Sequence, residues 1–391
     1  MGPLDGVKII ELAGIGPCPM CGMLLAELGA TILRIERVQP VDIGVELPRE
    51  HAFLHRSRPA ITLDLKKDSG IAIVLKLCEQ ADALIEGLRP GVMERLGLGP
   101  EPCRRRNPSL VYGRVTGWGQ SGPLSKTAGH DLNYIAITGA LDAIGRKNQP
   151  PTPPLNLVGD YGGGALYLAL GVLAALIESK HSGQGQVVDA AMVDGAASLM
   201  TAAYALQSAE ISTGPRGTNI LDSGAHFYDV YETSDARYIA LAAIEPKFFA
   251  ELRRLLDLDP ESLPHSQEPT DWPVLKKKIE TLIKTRTRDE WIAILEGSDA
   301  CFAPVLTMKE APFHAHNQAR QTFIQRDGQW QPNASPRFSR TPSAVSNSTR
   351  ITDRSTQAML LDWGLDETDI ALLLKNETAS QSSPKGPVSD L

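Results

Sequence analysis

His130 and Asp160 are the two side chains of this sequence that best suit proton transfer. His130 lies in the run Gly-His-Asp-Leu-Asn-Tyr at residues 129–134, and Asp160 precedes three glycines and an apolar, helix-prone run at residues 165–176. A histidine and a carboxylate in opposite protonation states can exchange a proton with a carbon beside a carbonyl group. Taken alone, Asp160 at a helix N-terminus fits a simple helix cap better than a catalytic group.

Alternating strands and helices form the scaffold that must position these two residues. The β-prone runs lie at residues 7–12, 31–35, 60–65, 83–86, 110–116 and 186–191. Helical segments separate several of them, including one predicted over residues 68–80, and a long alanine-rich helix is predicted to end near residue 209. Such βαβ units predict a parallel sheet with helices packed on its faces.

Three arginines near strand ends are candidates for binding phosphate. Arg34 and Arg37 belong to the second β-prone run, and Arg89 lies in the loop after the fourth. The guanidinium group binds phosphate in a two-pronged geometry, and ligands dock where parallel strands end, although solvated surface arginines are the alternative. Gly14 and Gly16 match half of a dinucleotide-binding pattern whose third glycine is missing, so a nicotinamide site is the weaker hypothesis.

A smaller second unit is predicted after a polar, glycine-containing connection. The predicted elements are a linker at residues 212–224, a hairpin from runs 227–230 and 238–242, and helices near 246–256 and 272–285. Glu245 ends the second run just before Pro246, where it could be a functional acid or a partner of the helix dipole.

The C-terminal third is predicted to return to the first unit. Residues 327–354 have no helical or strand period and indicate a loop, whereas residues 356–363 and 367–375 predict short helices that close onto the first unit. Residues from 376 onward are polar and are predicted to be disordered.

Composition places the chain among ordinary globular proteins. It has 391 residues, 42% of them hydrophobic and 22% charged, with a net charge of -7 that disfavours nucleic-acid binding. Neither a secretory signal nor an apolar run long enough to span a bilayer is recognised, so no membrane partner is expected. The five cysteines indicate reduced thiols in an intracellular protein, and their spacing predicts no metal site.

Six short motifs, in order along the chain, resemble the α-methylacyl-CoA racemases of the family III CoA-transferase superfamily. They are Gly-Ile-Gly-Pro at 14–17, Arg-Ile-Glu-Arg at 34–37, Glu-Gly-Leu-Arg-Pro-Gly at 86–91, the runs at 129–134 and 156–164, and Ile-Glu-Pro at 244–246. The likeness covers residues 2–340. It departs from the family at Ser223 and His226, where glycine and proline are usual.

The resemblance implies an α/β fold with a Rossmann-like large domain and a smaller α+β domain, in an interlocked homodimer. The implied domains are a large CoA-binding domain at 1–190, a linker helix and loop at 191–226, a small domain at 227–303, a return linker at 304–336, a C-terminal segment at 337–375 closing onto the large domain, and a disordered tail at 376–391.

The implied activity interconverts (2R)- and (2S)-2-methylacyl-CoA thioesters through an enolate. His130 would exchange the proton on one face of the α-carbon and Asp160 on the other, with Glu245 of the partner subunit orienting His130. The backbone N–H of Asp160 would hold the enolate oxygen. The residues implied to contact substrate or CoA are Arg37 and Arg89 at the phosphates, with Asn156, Asp131, Tyr134 and Gly162. CoA is part of the substrate, so no separate cofactor is expected.

The nearest alternative is a family III CoA-transferase in which Asp160 is the nucleophile and forms an acyl anhydride. His130 favours the racemase, because a transferase has no comparable need for a base at this position. A non-catalytic CoA-binding protein and a nicotinamide-dependent dehydrogenase are further alternatives.

The expected location is the cytoplasm or, in a eukaryote, the peroxisome or mitochondrion. The end Ser389-Asp390-Leu391 matches the peroxisomal Ser-Lys-Leu address at two positions.

Overall fold

A computed structural model describes residues 2–38, 45–345, 354–380 and 388–389. Contacts divide the chain into two compact units. The sheet unit comprises Met1–Thr138, Leu155–Leu199 and Phe323–Leu391, and the small unit comprises Gly139–Pro154 and Met200–Thr322. The domain boundaries implied by the resemblance stay a prediction.

The sheet unit is built on a parallel sheet. Its strands are β1 (Lys8–Leu12), β2 (Thr31–Arg37), β4 (Ala60–Leu63), β5 (Ala83–Glu86), β6 (Val111–Thr116) and β7 (Val187–Ala191), with a separate short strand β3 (Glu46–Leu47). Among the described residues the strand order is β4-β2-β1-β5-β6-β7, and every neighbouring pair is parallel. The predicted α/β class with a parallel sheet is therefore confirmed.

Helices cover both faces of this sheet. They are α1 (Pro17–Glu27), α2 (Asp68–Cys78), α3 (Val92–Arg95), α4 (Pro100–Arg106), α5 (Asp131–Ala136), a π-helical turn (Leu157–Ala165), α7 (Leu166–Ser182), α8 (Met192–Leu199), α14 (Thr356–Asp362) and α15 (Glu367–Lys375). Two 3-10 turns lie at Arg49–His51 and Phe53–His55. Successive strand residues face opposite sides, and accordingly Ile9 packs in the core under α1 and α7 whereas Ile10 packs with α2 and the C-terminal helices.

Residues 376–380 are more ordered than the sequence predicts. The backbone N–H of Asp64 donates to the carbonyl of Thr378 at 2.8 Å, and Leu63 forms an antiparallel bridge with Ala379. Thr378 is fully buried. The predicted disorder is therefore wrong for residues 376–380, because the edge strand β4 offers backbone groups for pairing.

The remainder of the predicted disordered tail is largely undescribed. Residues 381–387 and 390–391, with most of the peroxisome-like ending, lie outside the described residues. Within that tail, β13 (Val388–Ser389) pairs antiparallel with β3.

A hairpin replaces part of the predicted return loop. Strands β11 (Phe323–Arg326) and β12 (Gln329–Pro332) pair antiparallel around Asp327 and Gly328, which have φ values of 50° and 78°. Two left-handed residues in succession form the tight turn that joins twisted strands, and Asp-Gly is its usual sequence. The absence of strand structure predicted after residue 327 is therefore wrong, although the local signal was present.

The alanine-rich helix predicted to residue 209 is interrupted. Helix α8 ends at Leu199, and α9 (Thr201–Ser208) begins after Met200 and belongs to the small unit.

The π-helical turn and α7 form one continuous helical run. The run, Leu157–Ser182, is long and apolar enough to cross a membrane by length and composition, which corrects the prediction that no such segment exists. Half of its apolar window is buried in the protein, as in the core helix of a globular unit, so it is weak evidence for a membrane span. Its buried face, which includes Leu168 and Val172, packs against the sheet.

The small unit combines an antiparallel sheet with helices. Its strands are β8 (Tyr228–Glu232), β9 (Tyr238–Ala242) and β10 (Phe302–Pro304), in the order β10-β9-β8 among the described residues. Its helices are α6 (Ala140–Ala143), α9, α10 (Pro246–Leu255), α11 (Trp272–Ile283), α12 (Arg288–Leu295) and α13 (Ala315–Ala319), with a 3-10 turn at Ala311–Phe313. The predicted β8-β9 hairpin is confirmed. The hydrophobic core of the small unit includes Phe227, Trp272 and Trp291.

Candidate active site

The candidate site lies at the carboxyl edge of the parallel sheet. Strands β1 and β5 are neighbours in the sheet, but the chain continues from β1 to β2 on one side and from β5 to β6 on the other. The crevice between two such strands is the switch point where α/β sheets usually bind ligands. The turn after β1 carries Gly14 and Gly16, and the loop after β5 carries Gly87 and Arg89. A Cβ atom on Gly14 would stand 3.9 Å from the Cα atom of Gly87, so the two connections are in contact.

Asp160 occupies the π-helical turn at this edge. Its backbone N–H donates to Oδ1 of Asp131 at 2.7 Å, and its Oδ2 accepts a hydrogen bond from Nδ2 of Asn156 at 3.3 Å. A Cβ atom on Gly16 would stand 3.1 Å from that Oδ2, so the β1 turn borders the carboxylate. Asn156, rather than Asp160, is the residue that precedes the helical run, so the cap interpretation of Asp160 is wrong.

Burial makes Asp160 a carboxyl group that can hold or release a proton near neutral pH. Its pKa is raised to about 6, chiefly by burial and then by the negative charge of Asp131. The hydrogen bond from Asn156 and the nearby His130 lower the pKa and only partly offset the increase. A catalytic acid or base works best when its pKa lies near the working pH.

The expectation that the Asp160 N–H holds an enolate oxygen is wrong for this structure. That N–H already donates to Asp131, which is 5% exposed and whose pKa burial raises above its usual range. The donor is therefore engaged within the protein and is not directed at a ligand.

His130 immediately precedes α5, and its side chain is exposed. Its backbone N–H donates to Oδ1 of Asn133 at 3.0 Å. The hydroxyl of Tyr134 donates to the carbonyl of Gly129, and the Tyr134 ring stacks edge-on against Trp118 with centroids 4.8 Å apart. These contacts fix the backbone that carries the exposed imidazole.

Tyr134 supports the site from a buried position. Burial and the charge of Asp160 raise its pKa to about 12, and Arg89 is close enough to lower it in part. The phenol therefore stays neutral at physiological pH. The electrostatic influence also places the Arg89 loop near the residues of α5.

The predicted phosphate ligands divide into exposed and buried arginines. Arg37, at the end of β2, and Arg89 are exposed. Arg34 is 5% exposed and forms ion pairs with Glu36 at 2.5 Å and with Glu11 at 3.4 Å. The interpretation of Arg34 as a phosphate ligand is therefore wrong, because buried carboxylates already neutralise it.

The glycines after Asp160 serve helix packing. A Cβ atom on Gly163 would stand 2.7 Å from the backbone nitrogen of Ala196, and one on Gly195 would stand 1.9 Å from the carbonyl oxygen of Gly163. The π-helical turn and α8 thus touch backbone to backbone. At Gly162 a Cβ atom would meet the Leu157 carbonyl oxygen at 3.0 Å. The prediction that these glycines leave room for a thioester is replaced by close packing at Gly163.

Glu245 lies in the small unit, at the position before α10, and its side chain is exposed. Its carbonyl oxygen accepts the N–H of Phe249 at 3.0 Å, which starts the helix.

No group of three or more His, Cys, Asp and Glu side chains able to hold a metal ion occurs among the described residues.

The sequence profile of CoA-transferase family III matches residues 4–349. The chain is 43% identical over 374 residues to the alpha-methylacyl-CoA racemase of Mus musculus, covering 95% of this chain and 96% of the relative. The chain belongs to CoA-transferase family III. It is 39% identical over 385 residues to the alpha-methylacyl-CoA racemase of Homo sapiens, covering 98% and 99%. A crystal structure of a CAIB/BAIF family protein from Brucella suis superposes with a TM-score of 0.76 at 25% identity, covering 93% and 99%.

One buried acid of this family III chain was not predicted as part of the site. Glu86 is fully buried, accepts the backbone N–H of Leu88 at 2.7 Å and forms an ion pair with Arg114 at 2.8 Å. It therefore holds the loop that presents Arg89. A charged residue that ends an otherwise apolar strand was the available signal, since a buried carboxylate requires partners.

Proposed function

We propose that this protein epimerises 2-methylacyl-CoA thioesters by exchanging the α-proton between two bases. The observation that carries the proposal is the Asp160 carboxyl group, whose pKa lies at about 6 beside His130. The two relatives named as alpha-methylacyl-CoA racemases support the substrate class. A two-base reaction needs one group that accepts a proton while the other donates one, and this pair can supply both.

In the proposed reaction one of the two residues removes the proton from the α-carbon, and the thioester becomes an enolate. The other residue delivers a proton to the opposite face, which inverts the centre. In the reverse direction the two residues exchange roles. Asn156 holds Oδ2 of Asp160 during this exchange, and the exposed Arg37 and Arg89 bind the CoA phosphates through charge-assisted hydrogen bonds.

The proposed assembly is an interlocked homodimer in which Glu245 of the partner subunit orients His130. An exposed apolar stripe along the π-helical turn and α7 supports a protein partner: Leu157, Leu166, Leu170 and Ile177 are 52–64% exposed. Exposed apolar patches of this kind mark interaction surfaces. All five cysteines are described and free, which favours a reducing, intracellular compartment.

The first experiment measures exchange of the α-hydrogen of a 2-methylacyl-CoA with deuterated water. The purified protein alone should incorporate deuterium and interconvert the two epimers. His130→Ala and Asp160→Ala should each abolish epimerisation while remaining folded by circular dichroism. A variant that keeps a near-normal rate would remove its residue from the mechanism.

The CoA-transferase is the second candidate, and the family description supports it. In that reaction the Asp160 carboxylate attacks the thioester carbonyl, CoA leaves as the thiolate, and an acyl anhydride remains on the protein. Transfer of CoA to an added carboxylic acid, without deuterium incorporation in the acyl-CoA, would establish this alternative and refute the epimerase.

Co-expression of two inactive variants tests the role of Glu245. A heterodimer of His130→Ala and Glu245→Ala chains has one site with both substitutions and one with neither, if Glu245 acts across the subunits. Random pairing then restores about a quarter of the wild-type activity. No recovery would place Glu245 in the same chain as the His130 that it serves, or outside the site.

A further inference from the structure

Asp131 combines burial, a backbone contact and an unsatisfied oxygen. Its Oδ1 accepts the Asp160 N–H at 2.7 Å, and it is only 5% exposed. The neighbouring Gly159 N–H also acts on the Asp131 carboxylate and lowers its pKa, but the buried Oδ2 has no hydrogen-bond partner among the described residues. Burying a carboxylate with an unsatisfied oxygen is unfavourable. The amide oxygen of an asparagine would accept the same N–H, so anchoring the π-helical turn does not by itself explain a charge here.

The charge of Asp131 acts on the neighbouring carboxyl group. It raises the pKa of Asp160, second only to burial, because two carboxylates in one site disfavour each other's ionised form. The other groups acting on Asp160 are His130 and Asn156, both of which lower its pKa.

Asp131 and His130 are the charged or titratable groups that act electrostatically on Asp160. Tyr134 of α5 is a buried neutral phenol, and Arg89 from the β5 loop acts on that phenol. The other acids on elements packed against the π-helical turn are Glu178 on α7, Asp189 on β7 and Asp194 on α8, which are all exposed, and Glu27 on α1, which is buried and forms an ion pair with Arg56 at 2.6 Å. The basic side chains on these elements are Arg114 on β6, which is paired with Glu86, and Lys180 and His181 in the last turn of α7. Asp131 is thus the acid that directly contacts the Asp160 backbone.

We propose that Asp131 is a positioning residue that holds the Asp160 turn through its hydrogen bond and, through its charge, keeps Asp160 able to accept a proton near neutral pH. This inference rests on the proposed epimerase function, in which Asp160 must serve as base in one direction and as acid in the other. A carboxyl group with an ordinary pKa would be a poor acid at neutral pH. Asp131 acts through Asp160 and has no contact with the substrate in this role, which replaces its implied role in binding CoA.

Asp131→Asn separates the charge from the hydrogen bond. The amide Oδ1 can still accept the Asp160 N–H, whereas the negative charge is gone. The acid limb of the kcat/KM profile for epimerisation marks the pH at which the His130 and Asp160 pair takes up a second proton and no base remains. This limb should move to lower pH by about one unit in Asp131→Asn, since removing a like charge favours ionised Asp160.

Two further variants define the comparison. Asp131→Ala removes both the charge and the acceptor, so its acid limb should move and its kcat should also fall by at least about tenfold, since the turn loses its anchor. Asp82→Asn is the matched control. Oδ2 of Asp82 accepts the Lys8 N–H at 2.7 Å at the opposite, amino edge of the same sheet, and its acid limb should coincide with that of the wild type.

A purely structural Asp131 predicts a different result: Asp131→Asn would lower kcat equally at every pH and leave the acid limb in place, which would overturn the inference. Failure of the proposed function is separate, because wild-type protein would then show no α-hydrogen exchange at all. Titration of the Asp160 carboxyl carbon by 13C NMR, with the signal assigned by Asp160→Asn, needs no turnover. A lower pKa in Asp131→Asn supports the inference, and an unchanged one refutes it.

Discussion

Replacing Asp160 by asparagine should inactivate the protein. The variant should also be more stable than the wild type, by a margin that grows as the pH rises. The carboxyl group has a pKa of about 6 in the folded chain against 3.8 for an ordinary aspartate. The folded state holds the proton more tightly than the unfolded state, so the free energy of unfolding falls as the pH rises from about 4 to about 6 and is lowest above pH 6. A pKa difference of about two units, at ~1.4 kcal/mol each, lowers the free energy of unfolding by about 3 kcal/mol.

The penalty disappears in Asp160→Asn, which cannot ionise. The unfolding free energy of the variant relative to wild type should therefore grow by about 2 kcal/mol between pH 4.5 and pH 8. Urea denaturation of both proteins at half-unit pH intervals measures this difference. Asp142→Asn removes an exposed carboxylate that pairs with Arg216 and should change stability by less than about 0.5 kcal/mol. A difference between Asp160→Asn and wild type that stays constant with pH would refute the raised pKa and, with it, the basis of the proposed acid-base role.

Three further substitutions test the packing and binding contacts. Gly163→Ala places a Cβ atom 2.7 Å from the backbone of α8 and should cost about 1–3 kcal/mol of unfolding free energy, seen as a lower Tm; an unchanged Tm would show that α8 moves freely. Trp363→Ala empties a fully packed position in the sheet-unit core and should cost about 3–5 kcal/mol, measured by urea denaturation; a loss below 1 kcal/mol would contradict docking of the C-terminal helices. Arg89→Ala should raise KM for the acyl-CoA about 10- to 100-fold, which corresponds to the free energy of a charge-assisted hydrogen bond to phosphate. The effect on KM should be smaller for an acyl-pantetheine, which lacks the phosphates of CoA. Equal effects on both substrates would contradict phosphate binding.

Local sequence patterns account for the elements of this fold. Strand β5 (Ala83–Glu86), strand β9 (Tyr238–Ala242) and helix α15 (Glu367–Lys375) have the predicted bounds. Their periodicity and end signals lie within a few residues of each other, so they can be recognised without knowledge of the rest of the chain. The hairpin turn at Asp327 and Gly328 was equally local, but it lay in a polar stretch that resembled a loop.

The sequence by itself determined that the chain alternates strands and helices, and the motif resemblance pointed to His130 and Asp160 as a catalytic pair. Only the tertiary structure decided the surroundings of that pair. It brought Asp131 to Asp160, 29 residues away, enclosed Arg34 between Glu11 and Glu36, and pressed Gly163 against α8. A pKa depends on desolvation and on charges a few ångströms away. Packing between distant segments sets these quantities, so no local pattern could reveal that the pKa of the Asp160 carboxyl group is raised to about 6.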